Sequence, residues 1–408
     1  MQPTSRLFQN YCDAEHDIGL RPEDSSDSVC EKNTERLQAA LNGVNLPGQF
    51  RYFNGRTGPV LYEIQFSGKE YFFAGTMSTA NLIGSCVLTG EGGRTYPMIS
   101  PYYTNANQGG CATRLTRVDG ETGGAFFRVH GHGATFSRIQ FNGRPYLTDS
   151  TGEGPQTGTK TESCFEIQGR STPASGGHVF RECLINQFQY GINCVAGYYD
   201  STGTWVGDEN HADNGLVDGV MFHGCDSCFR STNLQSVCWN FRNIRAGSPG
   251  GAGQVEMIVM DIVRGGNCWI DGLDITSRRA TLFKVSANAA NDYSHLTSHL
   301  TCRNFKWDHY AASASNYITL FNLSGVDPIY NGGDMSFHQW TVRCEGHIGD
   351  SAGSPGYDDS RLIVLNDIEG SVGVTRTDLL FDVRNLPTTG FTLLGSGPWY
   401  YPDASWRV

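Results

Sequence analysis

Residues 136–143 read Phe-Ser-Arg-Ile-Gln-Phe-Asn-Gly, with apolar side chains first three and then two positions apart. A single strand alternates with a period of two throughout, whereas a helix repeats at three and four positions over a longer run. A slip in the alternation is typical of two short strands separated by a bend, because both can then keep their apolar face inward. The stretch therefore predicts a strand–bend–strand unit.

The same spacing returns along most of the chain. It recurs at residues 180–185, 217–222, 270–275, 302–307 and 337–342, with a partial copy at 241–244. The pair at the slip is often Asp-Gly or Arg-Asn, residue types that tolerate a left-handed backbone. A repeat of roughly 30–50 residues indicates a solenoid, so we expect an all-β parallel β-helix. Its inward positions should stack in buried columns, namely Ile139, Phe141, Ile185, Phe222, Leu273, Ile275, Phe305 and Val342.

The composition agrees with this fold and excludes some partners. The chain has 408 residues, including 51 glycines, and only 17% of the residues are charged, which is typical of a turn-rich β protein. The net charge of −11 and the lack of a Lys/Arg cluster argue against nucleic acid. No run of 18 apolar residues occurs, so we expect no membrane insertion. The first residues lack an apolar signal core, which argues against a conventionally secreted enzyme.

The 13 cysteines are expected to be reduced. Four of them fall at inward positions of the repeat, where a free thiol packs as a small hydrophobe: Cys183, Cys225, Cys302 and Cys344. A disulfide between Cys12 and Cys30, which both lie outside the repeats, is the alternative.

Three segments are expected: an N-terminal arm at 1–30, the solenoid at 31–390 and a C-terminal tail at 391–408. Residues at about 33–42 are predicted to form a helix, because Asn33 or Thr34 can cap it and Leu37 and Leu41 share one face. A short helix with an apolar face is suited to cover the open end of a solenoid, which otherwise exposes unpaired strand edges.

Several motifs together resemble the pectate-lyase-like right-handed β-helix superfamily. They are the helix Asn-Thr-x-x-Leu-Gln-Ala-Ala-Leu at 33–41, Leu-Thr-Gly-x-Gly-Gly at 88–93, Ala-Thr-Arg-Leu at 112–115 and the Phe-x-x-Ile-x-Phe-x-Gly coils. The layout is most similar to phage tailspikes and related virion proteins, over roughly residues 30–385. The resemblance implies a right-handed, single-stranded parallel β-helix with a short N-terminal capping helix. It also implies a location in the virion, other virion proteins as partners and a polysaccharide or host surface glycan as ligand. A homotrimer is expected as well, because we expect the outer faces of the solenoid to be short of charge and the tail is rich in aromatic residues.

The catalytic signatures of that superfamily are mostly missing. Gly131-His132-Gly133 is present, but Asn-Thr-Asp and Arg-Ile-Lys are not, and Asp358-Asp359 comes in the wrong order. Trp269-Ile-Asp271 is followed by Gly272 where pectate lyases have His. The motifs therefore specify the architecture and leave the chemistry open.

An insert after residue 194 combines aromatic and acidic residues. Glycoside hydrolysis needs paired carboxylates, and sugar faces pack on aromatic rings. The candidate catalytic acids are Asp208, Glu209 and Asp213, and the candidate substrate contacts are Tyr198, Tyr199, Trp205 and His211. A solvated acidic loop is one alternative. A calcium site through Asp208, Asn210 and Asp213 is another, and calcium is the one cofactor considered.

Two classes of function remain open. The first is a viral structural or adhesion protein, tailspike-like or capsid-decorating, that presents a polysaccharide-binding surface. The second is a polysaccharide-degrading enzyme, a glycoside hydrolase or lyase, which would act outside the cell.

Overall fold

The structure, a computed structural model, describes most of the solenoid. The described residues are 11–42, 63–79, 86–91, 112–118, 124–131, 133–143, 160–170, 175–200, 202–208, 211–233, 235–247, 257–265, 268–277 and 279–285, followed by the strands between 299 and 395. Beyond residue 285 the description concerns backbone pairing, with the side chains of Cys302 and Asn304 in addition.

One helix and thirty strands make up the regular structure of the described residues. The helix, α1, spans Asp27–Leu41. The strands of the first half are β1 (Tyr11–Asp13), β2 (Glu63–Phe66), β3 (Glu70–Phe73), β4 (Met77–Ser78), β5 (Val87–Gly90), β6 (Thr113–Arg117), β7 (Ala125–Val129), β8 (Thr135–Ser137), β9 (Ile139–Asn142), β10 (Thr161–Gln168), β11 (Ser175–Gly176), β12 (Val179–Arg181), β13 (Leu184–Asn186), β14 (Phe188–Val195) and β15 (Tyr198–Tyr199). Those of the second half are β16 (Trp205–Val206), β17 (Ala212–Asp213), β18 (Leu216–Asp218), β19 (Met221–His223), β20 (Ser227–Ser231), β21 (Trp239–Gly247), β22 (Met257–Ile262), β23 (Cys268–Ser277), β24 (Arg279–Val285), β25 (His299–His309), β26 (Tyr317–Asn322), β27 (Trp340–Asp350), β28 (Arg361–Leu365), β29 (Thr377–Arg384) and β30 (Thr392–Gly395).

Two large parallel sheets run the length of the molecule. A 16-stranded sheet collects the strands before and after each bend, and a 10-stranded sheet collects the next strand of every coil. Strands β8, β9 and β10 form one coil, and β12, β13 and β14 pair with them in order as the next coil. The described strands make ten such coils. This is the parallel β-helix that the repeat predicts, in the right-handed sense that parallel crossovers adopt.

The bend within the 16-stranded sheet has one backbone conformation from coil to coil. In each repeat unit that the structure describes, the third residue has a positive φ, as a turn out of the β region requires. The residues and angles are Arg138 (57°), Glu182 (52°), Gly219 (63°), Asn243 (50°), Gly272 (83°) and Asn304 (55°). The slip in the sequence pattern is therefore this bend, and the prediction is confirmed.

The inward side chains stack in two columns along the 16-stranded sheet. The column before the bend contains Leu88, Phe136, Phe180, Val217, Phe241, Ile270 and Cys302. The column after it contains Leu115, Phe141, Ile185, Phe222, Ala246 and Ile275. All of these residues are at most 2% exposed, as are Ile139 and Leu273. The predicted core is confirmed, except that Phe305 and Val342 lie outside the described side chains.

A polar ladder follows the end of the strands after the bend. The Asn142 side chain donates to Thr116 Oγ1 at 2.9 Å, and the Asn186 side chain donates to Asn142 Oδ1 at 3.3 Å. His223 Nδ1 continues the ladder to Asn186 Oδ1 at 3.0 Å. Because these side chains are buried, each hydrogen bond compensates for lost hydration.

The described cysteines are free thiols, and ten of the eleven are buried. Cys12 and Cys30 are both free, so the alternative disulfide is wrong. Burial raises the pKa of several thiols, including Cys164 and Cys228 in the core. The expectation of reduced core cysteines is confirmed for Cys183, Cys225 and Cys302, and Cys344 lies outside the described side chains.

The helix is longer than predicted and begins elsewhere. It starts at Asp27 with Ser26 as the N-cap, so the predicted cap at Asn33 or Thr34 is wrong. The apolar face extends back to Val29 and Cys30, which are buried. Asn33 is instead inside the helix, where its side chain donates to the backbone oxygens of Arg21 and Phe72.

Residues 11–42 cover the strand edges of the first coil. Residues 11–30 of the predicted N-terminal arm therefore pack on the solenoid. Strand β1 pairs with β2, and the Glu23 N–H donates to the Glu70 carbonyl at 2.8 Å. Thr34 Oγ1 accepts from the Ala74 N–H at 2.8 Å. Gln38 exchanges two hydrogen bonds with the Ser78 backbone, at 2.7 and 2.9 Å. The capping role of the helix is therefore confirmed. At the other end, β30 lies within the predicted tail and pairs with β28.

The outer faces carry charged ladders, contrary to the expectation that they are short of charge. In the 16-stranded sheet Arg181, Asp218, Arg242 and Asp271 occupy successive coils at one position. In the 10-stranded sheet the corresponding ladder consists, coil by coil, of Arg128, Glu166, Asn193, Arg230, Asp261 and Lys284. Charges of opposite sign on adjacent strands attract each other, so alternation lets charged residues stack. No helix among the described residues has the length and apolar character needed to cross a membrane.

Candidate functional site

The insert after β14 contains a two-stranded antiparallel hairpin, β15–β16. Its turn is held by the Asp200 carboxylate, which accepts from the backbone N–H groups of Thr202 and Thr204 at 2.8 and 2.9 Å. A hydrogen bond from the Thr202 hydroxyl, at 2.7 Å, and these two backbone hydrogen bonds lower the pKa of Asp200. The hairpin is therefore an ordered projection from the 10-stranded sheet.

The hairpin presents aromatic side chains on both faces. Tyr199 is opposite Trp205, and the two rings meet edge to face with centroids 5.0 Å apart. Trp205 is 45% exposed, so much of its surface is available to a ligand. Successive residues of a strand point to opposite faces, and accordingly Tyr198 packs under the Arg170 guanidinium at 4.6 Å.

A groove of about 680 Å³ lies beside the hairpin along the outer face of the 10-stranded sheet. Its wall includes residues from five successive coils, beginning at Gly124 and ending at Arg264. The charged and aromatic residues that line it are Arg128, Glu162, Glu166, Tyr199, Trp205, Arg230 and Arg264. A groove that follows the solenoid axis suits an extended polymer.

Glu166 is the most buried of these charged residues, with 7% exposure. Its Oε1 lies 3.5 Å from Arg128 Nε and also accepts a hydrogen bond from the Gln168 amide. Burial raises the pKa of Glu166, and the Gln168 hydrogen bond and the Arg128 charge oppose that shift. The neighbouring Glu162 raises the pKa further. Glu166 thus retains a proton to a higher pH than an ordinary glutamate.

Gln168 connects the buried acid to the hairpin. Its Oε1 accepts from the Tyr199 backbone N–H at 3.1 Å, while its amide nitrogen donates to Glu166. The Tyr199 ring in turn lies beneath the Arg128 guanidinium, whose carbon is 4.0 Å from the ring centroid. The aromatic platform and the acid are therefore held in one network.

A second arginine further along the sheet has similar surroundings. The Arg230 guanidinium lies over the Tyr190 ring at 4.5 Å, and its Nε is 3.6 Å from Asp261 Oδ2. Burial raises the pKa of Asp261, against the opposing charges of Arg230 and Lys284. An arginine, a tyrosine and a carboxylate thus meet at two places on one face.

The predicted site residues divide between the groove and its surroundings. Tyr199 and Trp205 line the groove, but Asp208, Asp213, His211 and Tyr198 are not among its lining residues. Asp213 lies in β17, which pairs with β11, and the His211 N–H donates to Gln235 Oε1 at 3.3 Å. Glu209 lies outside the described residues. The assignment of Asp208, Glu209 and Asp213 as catalytic acids stays a prediction.

The calcium site also stays a prediction, because Asn210 lies outside the described residues. Among the residues that the structure describes, no three His, Cys, Asp or Glu side chains are grouped as a metal site would require.

Sequence reasoning missed Glu162, Glu166, Arg128 and Arg230. The repeat it followed belongs to the 16-stranded sheet, whereas these residues lie on the 10-stranded sheet. A second pattern could have revealed the ladder, since each coil has one polar residue between two others that are mostly apolar. Examples are Phe-Arg-Val at 127–129, Phe-Glu-Ile at 165–167 and Met-Asp-Ile at 260–262.

No protein-family model and no curated protein matches the chain. Three solved structures are similar to it. The tailspike protein of Acinetobacter phage vB_ApiP_P1 has 12% identity and a TM-score of 0.41, with 99% of this chain and 66% of that one covered. ORF18 of Geobacillus virus E2 has 9% identity and a TM-score of 0.33, over 84% of this chain and 59% of that one. The A-module of the Azotobacter vinelandii mannuronan C-5 epimerase AlgE4 has 15% identity and a TM-score of 0.37, over 94% of this chain and 100% of that one.

The chain thus spans less than two thirds of the length of the two viral proteins. Since every TM-score is below 0.5, the fold assignment rests on the strand register described above.

Proposed function

We propose that this chain is a phage virion protein that attaches to a surface polysaccharide of the host through the groove beside the β15–β16 hairpin. The observation that carries the proposal is the half-exposed Trp205 ring, set against Tyr199 at the wall of a groove along the solenoid axis. Sugar rings pack on such aromatic faces, and arginine and carboxylate groups supply directed hydrogen bonds to hydroxyls.

The test compares two exposed tryptophans. Trp205→Ala should lower the affinity for host capsular or lipopolysaccharide glycan by about tenfold or more, equivalent to about 1.4 kcal/mol. Trp269→Ala is the matched control, because Trp269 is 38% exposed but lies on the 16-stranded sheet. Equal affinities of the two variants, measured by calorimetry or co-sedimentation, would contradict the proposal.

The virion location, the contacts with other virion proteins and a homotrimer belong to the same proposal. The first two rest on the resemblance of the helix and coil motifs to virion β-helix proteins, and the homotrimer rests on the aromatic-rich tail at 391–408. Purified particles should contain the chain by mass spectrometry, and light scattering of the isolated protein should give the mass of three chains. A chain absent from particles and monomeric at micromolar concentration would exclude this part of the proposal.

A second candidate function is cleavage of the bound polysaccharide, in which case the protein would act as an extracellular enzyme or as an enzyme on the virion. The observation that favours it is Glu166, a buried carboxyl with a raised pKa, next to Glu162 in the same groove. A general acid needs a raised pKa, while its partner stays ionised.

A reducing-end assay tests this candidate. Glu166→Gln should abolish cleavage and retain binding, and Glu162→Gln should also abolish it. The amide variant of Asp208, Glu209 and Asp213 tests the alternative acids in the same assay. If the parent protein binds the glycan and releases no reducing ends or unsaturated products, the protein is an adhesin without this activity.

A further inference from the structure

The two arginines of the groove belong to similar units. In each unit the guanidinium lies over a tyrosine ring and its Nε faces a carboxylate of the next coil. Arg128 has Tyr199 and Glu166 as neighbours, and Arg230 has Tyr190 and Asp261. The Nε···O distances of 3.5 and 3.6 Å are similar, as are the arginine exposures of 26% and 27%.

The carboxylates do not saturate these arginines. An arginine has five N–H donors, and each carboxylate lies slightly too far from Nε for a hydrogen bond. Within the described part of the chain, the Nε atoms of Arg128 and Arg230 are buried and lack a hydrogen-bond partner. A half-buried guanidinium attracts an anion more strongly than one in bulk water, because the local dielectric constant is lower.

The register sets the separation of the two units. Along the ladder, Arg128 pairs with Glu166, Glu166 with Asn193, and Asn193 with Arg230. Three strand spacings therefore separate the arginines, or about 14 Å at the usual inter-strand distance. The two positions between them carry a carboxylate and an amide, so the middle of the ladder does not attract an anion. Arg264 lines the groove three residues beyond the ladder position of Asp261, at the side of this row.

One sugar of an extended glycan advances about as far as one strand spacing. We propose that the groove selects a heteropolysaccharide whose carboxylates are separated by uncharged sugars, so that two of them reach Arg128 and Arg230 at once. A homopolyuronate fits less well, because it would place a carboxylate opposite Glu166. This inference rests on the proposed function and adds the class of glycan.

Four probes of matched length test the inference. They are a heteropolysaccharide with one uronate in each trisaccharide repeat, its carboxyl-reduced form, oligogalacturonate and a neutral glucan. The first should bind most tightly, and carboxyl reduction should lower its affinity by about tenfold or more. Its binding should also weaken with added salt, because charge attraction is screened.

Variants assign the effect to the two arginines. Arg128→Gln and Arg230→Gln should each lower the affinity for the charged heteropolysaccharide by about tenfold, and should lower the affinity for the carboxyl-reduced form by clearly less. Arg245→Gln is the matched control, because Arg245 is 30% exposed and pairs with Asp274 at 3.4 Å on the other sheet. Thermal melting checks that each variant is folded. Where a glutamine variant is not, the lysine variant at the same position, which keeps the charge and loses the fork, replaces it.

The outcomes separate the two proposals. If oligogalacturonate binds as tightly as the heteropolysaccharide, or the arginine variants bind normally while Trp205→Ala does not, the spacing inference is wrong and the glycan site stands. If no probe or host glycan binds and Trp205→Ala changes nothing, the proposed function fails and the inference fails with it.

Discussion

The two sheets carry charge ladders of the same kind in different surroundings. On the 16-stranded sheet, Arg181 and Asp218 are 54% and 33% exposed and their nearest charged atoms are 3.9 Å apart. On the 10-stranded sheet, the Arg128 and Glu166 side chains are 26% and 10% exposed. In both places no two adjacent positions of the ladder carry the same sign, which avoids repulsion between stacked charges.

The two ladders differ in burial, and the more buried one lines the proposed glycan site. Exposed ion pairs contribute little to stability, because water and salt screen them. The half-buried pairs have lost more hydration, as the raised pKa values of Glu166 and Asp261 indicate. Among the described residues, tyrosine rings and an aromatic hairpin lie beside the half-buried ladder. We infer that partial desolvation makes an ordinary β-helix ladder able to discriminate between ligands.

The core beneath the ladders is shared by both sheets, and its disruption should have the largest effect. Phe165 of the 10-stranded sheet contacts Phe136, Phe141 and Phe180 of the other sheet, with ring centroids 4.6–4.8 Å apart. Phe165→Ala should lower the free energy of unfolding by about 3–5 kcal/mol, because it leaves a cavity. Phe165→Leu should cost less, since it preserves more volume. Chemical denaturation measures both, and two separate transitions in the alanine variant would show that each sheet has a core of its own.

Charge reversal compares the two ladders directly. Asp261→Lys places a third positive charge between Arg230 and Lys284 in partly buried surroundings. We expect a loss of stability on the order of 3 kcal/mol. Asp218→Lys on the exposed ladder should cost less than about 1 kcal/mol. Equal losses in denaturation experiments would contradict the difference that we draw between the ladders.

Acid should destabilise both sheets through buried histidines. Burial, with the nearby Lys160 charge, lowers the pKa of His223 to about 4. The unfolded chain binds this proton near pH 6.5 and the folded one only near pH 4, so the free energy of unfolding decreases as the pH falls between these values. The loss is on the order of 3 kcal/mol.

Next to the 10-stranded sheet, burial and the charges of Arg170 and Arg128 lower the pKa of His130 to about 3. The free energy of unfolding should therefore continue to decrease below pH 4. The denaturation midpoint, measured from neutral pH to pH 4, should fall less steeply in His223→Gln than in the parent protein. Parallel profiles would show that His223 does not carry this dependence.

Substitutions at left-handed backbone positions should have the smallest effects on stability. Replacing a residue by glycine there should stabilise the protein, and replacing a glycine should destabilise it. Gln187 has φ of 62°, where the next coil has Gly224 with φ of 63°. Gln187→Gly should stabilise the protein by roughly 0.5–1 kcal/mol, because a left-handed backbone strains residues with a Cβ. Gly272→Ala should destabilise it by about 1–2 kcal/mol, since its φ is 83° and the new Cβ would lie 3.0 Å from Asn243 Oδ1. Denaturation midpoints that shift in the same direction would refute this reading.

The sequence was informative wherever one physical requirement repeats. The bend at Arg138 recurs with the same spacing because a buried apolar residue must follow it in each coil, so the fold could be predicted. The start of α1 could not be predicted. Asn33 is a residue type that often caps helices, but here its side chain donates a hydrogen bond to the carbonyl of Phe72, which is 39 residues away in the sequence. Tyr199 and Trp205 were found because an aromatic insert is conspicuous. Glu166 and Arg230 were not identified from the sequence. They line the same groove only because of the register between strands that are far apart in the sequence.

The sealed first coil has a consequence for the association of whole molecules. An open solenoid end is a template on which another chain can form strands, and such growth is head-to-tail and has no natural stop. Here the backbone groups of Glu70, Ala74 and Ser78 are occupied by Glu23, Thr34 and Gln38. Residues 11–42 therefore cover backbone groups that such growth would use, and we expect a chain that lacks these residues to assemble into fibrils.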